Sequence, residues 1–124
     1  MEINSGLFDI DEAGEAMILT PKIDMGELDH ERIDAAMKQI LERLNRSSVK
    51  NIILDFHKTD YFGSTALGFF VRMWKTTCTR QGRMAFCNLS VHEKEILEIM
   101  KLDHLWDICA SREEALRTVS SPPS

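Results

Sequence analysis

Asn51-Ile-Ile-Leu-Asp-Phe56, the polar link His57-Lys-Thr-Asp60 and the run Tyr61-Phe-Gly-Ser-Thr-Ala-Leu-Gly68 decide how this chain folds. The first run is short, apolar and β-branched at Ile52 and Ile53, as suits a strand covered on both faces. Beyond the link the period changes, and Leu67, Phe70, Val71, Trp74 and Cys78 recur at helical spacing. A helix is therefore expected from about Ser64 to Arg80, closed by Gln81-Gly82.

The same alternation extends in both directions. Upstream, Phe8-Asp-Ile10 and Ala16-Met-Ile-Leu-Thr20 read as strands, joined by the turn residues Asp11, Glu12 and Gly14 and stopped by Pro21. From Asp29 to Leu44, the residues Ile33, Ala36, Met37, Ile40, Leu41 and Leu44 fall on one face of an amphipathic helix. Downstream, Met84-Ala-Phe-Cys87 is a buried strand. Ser90 with Glu93 forms a capping box for a helix carrying Ile96, Leu97 and Met100. Leu105-Trp-Asp-Ile108 is a short last strand, and Ser111 with Glu114 opens a final helix. The expected fold class is α/β: one domain over residues 1–119, a mixed sheet of four to five strands and about four helices. Residues 120–124, Ser-Ser-Pro-Pro-Ser, read as a frayed tail.

Composition agrees with a globular domain and narrows its partners. The 124 residues carry 15 basic and 20 acidic side chains, a net charge of −5. That sign argues against nucleic acid, whose phosphates call for clustered Lys and Arg. The N-terminus lacks the basic-then-apolar pattern of a signal peptide, and no apolar run is long enough to insert in a membrane. Cys78, Cys87 and Cys109 are odd in number, form no CxxC pair and lie in or beside apolar stretches. They read as buried reduced thiols of a cytoplasmic protein.

The element order and the central segment together resemble the STAS family, whose best-known soluble members are anti-sigma factor antagonists. Ile53-Leu54-Asp55-Phe56 is similar to the family's acidic-ended strand. Gly63-Ser64-Thr65-Ala66-Leu67-Gly68 is similar to its Asp-Ser-Ser/Thr-Gly-Leu-Gly hallmark, with Gly63 in place of the acidic residue and Ala66 in place of a glycine. Thr20-Pro21-Lys22-Ile23-Asp24 is similar to an earlier Thr-Gly-x-Leu-Asp motif. The resemblance spans about Phe8 to Leu116. It implies a binding switch, not an enzyme, with Ser64 as the phosphate acceptor and Asp24, Gly63, Thr65 and Leu67 forming the contact surface around it. It also implies an anti-sigma factor that is itself a serine kinase, an opposing phosphatase and a free protein that is monomeric. It implies no cofactor.

Position alone reads Ser64 in two ways: as the helix cap that serine often provides, or as a phosphate acceptor beside unpaired amides and the positive end of the helix dipole. A phosphate there would change the charge and shape of a surface without unfolding it. Asp24 is either a turn residue or a polar partner at that surface, and Asp55 reads as a cap for the turn that follows its strand. Arg72, Lys75, Thr79 and Arg80 share one side of the central helix and read as a solvated face, with an acidic partner as the alternative.

Two other function classes remain as alternatives. One is an unphosphorylated STAS subunit of a transporter or signalling assembly. The other is a small serine hydrolase using Ser64 with His92 or His104, although Gly-x-Ser-x-Gly is absent. The four histidines, His30, His57, His92 and His104, lack metal-ligand spacing, and there is no phosphate-binding Gly-x-x-x-x-Gly-Lys loop.

Overall fold

β1 (Phe8–Ala13) and β2 (Ala16–Pro21) form an antiparallel hairpin, with Phe8 opposite Pro21 and Ala13 opposite Ala16. Gly14 makes the turn at a φ of 59°, a conformation glycine adopts without a Cβ penalty. The computed structural model that shows this describes residues 7–26, 29–46 and 48–121. β2, β3 (Asn51–Asp55), β4 (Met84–Cys87) and β5 (Asp107–Cys109) then run parallel, in the sheet order β1-β2-β3-β4-β5.

Each parallel pair is joined by a helix: α1 (His30–Arg46), α2 (Ser64–Thr79) and α3 (Val91–Ile99) in turn. Crossovers of one hand that always step in one direction pack on one face of a sheet. There α1, α2 and α3 bury Ile33, Met37, Ile40, Leu67, Phe70, Met73 and Leu97 against Met17, Leu19, Ile52, Leu54 and Phe86. Phe56 is the aromatic centre of this core, with ring centroids 5.3 Å from Phe62, 5.7 Å from Phe70 and 5.5 Å from Phe86. The fourth helix, α4 (Arg112–Ser120), packs on the opposite face, where Ala115 and Val119 meet Ile18, Ile53, Ala85, Cys87 and Cys109.

The fold is the expected single α/β unit, a mixed sheet with five strands and four helices among the described residues. Several local expectations are corrected. β1 continues through Asp11 and Glu12 to Ala13: it is an edge strand, where charged residues are tolerated and discourage further pairing. Leu41, placed on the apolar face of α1, is exposed, as is Met100, which caps α3 at its C-terminal end. Cys78 is exposed on α2; only Cys87 and Cys109 are buried. Burial, reinforced by the Asp55 charge, pushes the Cys87 thiol up to about 12, so it stays protonated. Ser120 and Ser121, expected in the tail, belong to the end of α4, and residues 122–124 lie outside the described residues.

At the far end of α2 the positive φ falls on Gln81 (61°), not on Gly82. Gly82 is needed for space: a Cβ there would sit 1.7 Å from the Lys50 carbonyl oxygen. Two of the four residues assigned to the solvated face of α2 tie it to α1. Arg72 reaches Asp34 at 3.3 Å, and Arg80 bonds to the Leu44 carbonyl and the Asn45 side chain.

Candidate functional site

Ser64 is the first residue of α2, exposed at the end of the sheet where the parallel strands finish. It does not cap the helix. The N-cap is Gly63, extended at φ −102°, ψ −175°, and it contributes no capping side chain. The first turn of α2 holds no acidic residue, so its leading amides face neither a cap nor a carboxylate of their own helix. Among the described residues nothing is hydrogen-bonded to the Ser64 hydroxyl. A phosphate at this position would meet free N–H donors and the positive end of the helix dipole.

The loop leading into Ser64 is fastened on two sides. On the first, residues 24–26 lie against it: Met25 and Phe62 form a parallel bridge, Gly63 N donates to Met25 O at 2.7 Å, and Met25 N donates to Tyr61 O at 3.3 Å. The Asp24 carboxylate accepts the Asp60 amide at 2.9 Å. Asp24 is thus both an exposed acidic group and the clasp that fixes this loop. The approach is close enough to require glycine at 63, since a Cβ there would lie 2.8 Å from the Gly26 carbonyl oxygen. That contact gives a physical reason for the missing acidic side chain at this position.

On the second side, the start of α3 holds the loop. The capping box is present: Ser90 Oγ accepts from Glu93 N, and Glu93 Oε1 accepts from Ser90 N. Both side chains also reach outward. Ser90 Oγ donates to Asp60 O at 2.9 Å, and Thr59 Oγ1 donates to Glu93 Oε2 at 2.9 Å. Glu93 is fully buried, and burial raises its carboxyl above the ordinary value despite the opposing hydrogen bonds from Ser90 and Thr59. The Thr59 hydroxyl thus satisfies one oxygen of this buried carboxylate.

Beneath the site, Asp55 does more than cap a turn. Its buried carboxylate accepts from Asn88 Nδ2 (3.0 Å), His57 N (3.1 Å) and Arg112 Nε (3.0 Å), and it lies 3.0 Å from His57 Nδ1. Burial opposes the charge, but the bonds from Asn88, His57 and Arg112 outweigh it and hold the carboxyl below its usual range. Arg112 also reaches Thr20 Oγ1, so α4 is pinned to β2 and β3 beside the site.

Of the expected contact residues, Asp24, Gly63 and Thr65 lie exposed or half-buried around Ser64, whereas Leu67 is only 5% exposed. It sits one turn into α2 and packs in the core, so its side chain is not part of the surface. Sequence reasoning missed Ser90 and Glu93 as parts of the site. Their capping signature was visible, but their bonds to Thr59 and Asp60 span about thirty residues and leave no local signal. Neither His92 nor His104 bonds to Ser64. His92 lies beside Asp60 and Tyr61, and His104 beside Asp103.

A mixed sheet built this way, with three crossover helices on one face and a fourth helix on the other, defines a known class of α/β domain. The chain belongs to the STAS domain family, whose family model matches residues 8–115. Its fold is shared with TM1081 of Thermotoga maritima, at 20% identity and a TM-score of 0.79 over 94% of this chain and 97% of that one. It is shared too with the anti-sigma factor antagonist SpoIIAA in its unphosphorylated form, at 20% identity and a TM-score of 0.74 over 94% and 99% of the two chains. The phosphorylated form of the Bacillus protein SpoIIAA aligns over 90% of this chain and 98% of its own, with 22% identity and a TM-score of 0.66. Among the described residues no helix is long and apolar enough to cross a membrane.

Proposed function

We propose that this protein is a phosphorylation-controlled binding switch of the anti-sigma factor antagonist type, with Ser64 as its phosphate acceptor. The observation that carries this reading is the unengaged, exposed hydroxyl of Ser64 at the first residue of α2, behind a glycine that leaves the helix end uncapped. Solved relatives of the fold include one protein captured in both unphosphorylated and phosphorylated forms. The unmodified surface, with Asp24, Gly63 and Thr65 around Ser64, binds an anti-sigma factor that is also a serine kinase. Phosphorylation adds roughly −1.5 to −2 charge beside the Asp24 and Asp60 carboxylates. A partner packed against a bare hydroxyl must then desolvate a dianion among like charges, and it leaves. A phosphatase restores the binding form. The protein itself acts by association, without a cofactor, as a cytoplasmic monomer when free.

The test is intact-mass analysis with site mapping on protein from its own host, before and after phosphatase treatment. A phosphatase-sensitive phosphate on Ser64, absent from Ser64→Ala, is the expected result. A protein never modified at Ser64 across growth and stress conditions would overturn the switch and leave a constitutive binding subunit.

A further inference from the structure

At the end of the sheet opposite Ser64, where β2 and β3 begin, a cavity of about 550 Å³ is bounded by Glu15, Lys50, Asn51, Cys78, Arg83 and Val119. That volume lies in the range of small-molecule sites. Its walls are held in place. The Arg83 guanidinium donates to the Thr118 and Ser121 carbonyls at 2.7 and 3.0 Å and to Asp107 at 2.9 Å, tying the end of α4 to the starts of β4 and β5. The Lys50 and Asn51 amides both donate to the Glu15 carbonyl, at 2.9 and 3.0 Å. Asn51 is 2% exposed, and its Oδ1 accepts the Arg83 amide at 2.9 Å. A backbone N–H can bond only to the oxygen of a side-chain amide, so the orientation of this one is settled. Its Nδ2 group meets no acceptor among the described residues. Unlike Gln39 Oε1 and Trp106 Nε1, which are unpaired and sealed off, it is open to the cavity that Asn51 lines. Such a donor has to be met from that side. Two full charges share the rim. Glu15 and Lys50 are exposed neighbours, yet their charged groups pair neither with each other nor with any other described residue.

We propose that this cavity binds a small zwitterion of the α-amino-acid class with an aliphatic side chain. The ligand carboxylate takes the Asn51 Nδ2 donor and the Lys50 ammonium, and the ligand ammonium takes the Glu15 carboxylate. The aliphatic part lies against Val119 and Cys78. Charge selects this occupant. A simple anion would leave Glu15 facing like charge, and a simple cation would leave Lys50 and the Asn51 donor unmet. A ligand carrying both charges answers all three groups. The walls are already fixed by Arg83 and by the Glu15 carbonyl, so binding orders only the Glu15 and Lys50 side chains. The site lies at the far end of β3 from the Ser64 loop, and the proposal stands apart from the phosphorylation switch.

The experiment titrates the isotopically labelled chain with L-valine and follows its amide NMR signals. Valinamide, which lacks the carboxylate, and N-acetylvaline, which lacks the ammonium, serve as singly charged probes. L-valine is expected to shift the signals of Asn51, Gly82 and Val119 to saturation while those of Ser64 and Thr65 stay in place. Each singly charged probe is expected to bind about tenfold more weakly, the value of one charge-assisted bond. Lys50→Gln and Glu15→Gln change exposed side chains, so their variants fold, and each is expected to weaken L-valine by the same factor. Asn51→Asp keeps an oxygen for the Arg83 amide but removes the donor, and is expected to abolish binding. The absence of any saturable shift with L-valine up to about 10 mM would overturn the proposal. N-acetylvaline or valinamide binding as tightly as L-valine would also overturn it, because the cavity would then read a single charge. Unchanged affinity in both Lys50→Gln and Glu15→Gln would place the ligand elsewhere and overturn it too.

Discussion

Replacing Gly63 by alanine tests the close approach that shapes the Ser64 loop. The backbone at 63 is extended, so an L residue meets no conformational strain there. The cost is steric. The new Cβ would lie 2.8 Å from the Gly26 oxygen, and reaching ordinary contact at 3.4 Å means moving the 24–26 segment by about 0.6 Å. The bonds Gly63 N to Met25 O (2.7 Å) and Met25 N to Tyr61 O (3.3 Å) span that gap and are weakened together. At about 1 kcal/mol net for each bond the loss is about 2 kcal/mol. The lower entropy of an unfolded alanine returns about 0.4–1 kcal/mol. The net expectation for Gly63→Ala is about 1–2 kcal/mol of destabilisation, a fall of several degrees in melting temperature for a domain this size. Gly63→Asp meets the same clash, but its carboxylate can cap α2, which is worth about 1 kcal/mol. The expected order in urea or thermal denaturation is therefore wild type, then Asp, then Ala. An alanine variant as stable as wild type would refute the argument that Gly26 excludes a side chain at 63.

Other expectations follow from the buried carboxylates. Arg112→Ala removes one of the donors that hold Asp55 below its usual range, and should cost about 2–3 kcal/mol at neutral pH in urea denaturation. A depressed carboxyl stabilises the fold above its unfolded value, near 3.8, and that contribution disappears as pH falls through the folded value. Acid unfolding of Arg112→Ala should accordingly begin at higher pH than in wild type; an unchanged acid limb would count against the assignment. Glu93 has the opposite sign: its raised carboxyl favours the fold below about 4.5 and loses that contribution as pH rises through the folded value. Glu93→Gln can keep the Ser90 bond through its oxygen and offer its amide to Thr59. It should stabilise the protein at pH 7, with the gain vanishing below pH 4.5, and a loss at pH 7 would show that the charge itself is favourable there.

Much of the architecture was legible because period and burial coincide. The continuous apolar runs at 16–20, 51–56 and 84–87 became parallel strands covered on both faces, and the spacing from Leu67 to Cys78 became α2. β5 was harder. It is three residues long, and Trp106, read as its centre, instead stacks on Phe86 at 4.6 Å just before the strand begins. In the site, Ser64 was visible as the start of a helix, but whether a serine caps or follows the cap depends on backbone angles that its identity does not dictate. Asp24, Glu93 and Asp55 are informative only through partners remote in sequence: Asp60, Thr59, and Arg112 with Asn88. A local reading assigns each of them a turn or a cap, because nothing nearby announces a second bond.

The division of the helices between the faces has a consequence for synthesis. The face bearing α1, α2 and α3 can assemble as the chain emerges, whereas the other waits for α4. A nascent chain that ends before Arg112 displays a bare strip of Ala16, Ile18, Ile53, Ala85 and Cys87, with the Asp55 carboxylate lacking its guanidinium at one end. A chain cut short ahead of α4 would therefore present a half-clothed sheet, and the last helix is the element that completes the cover.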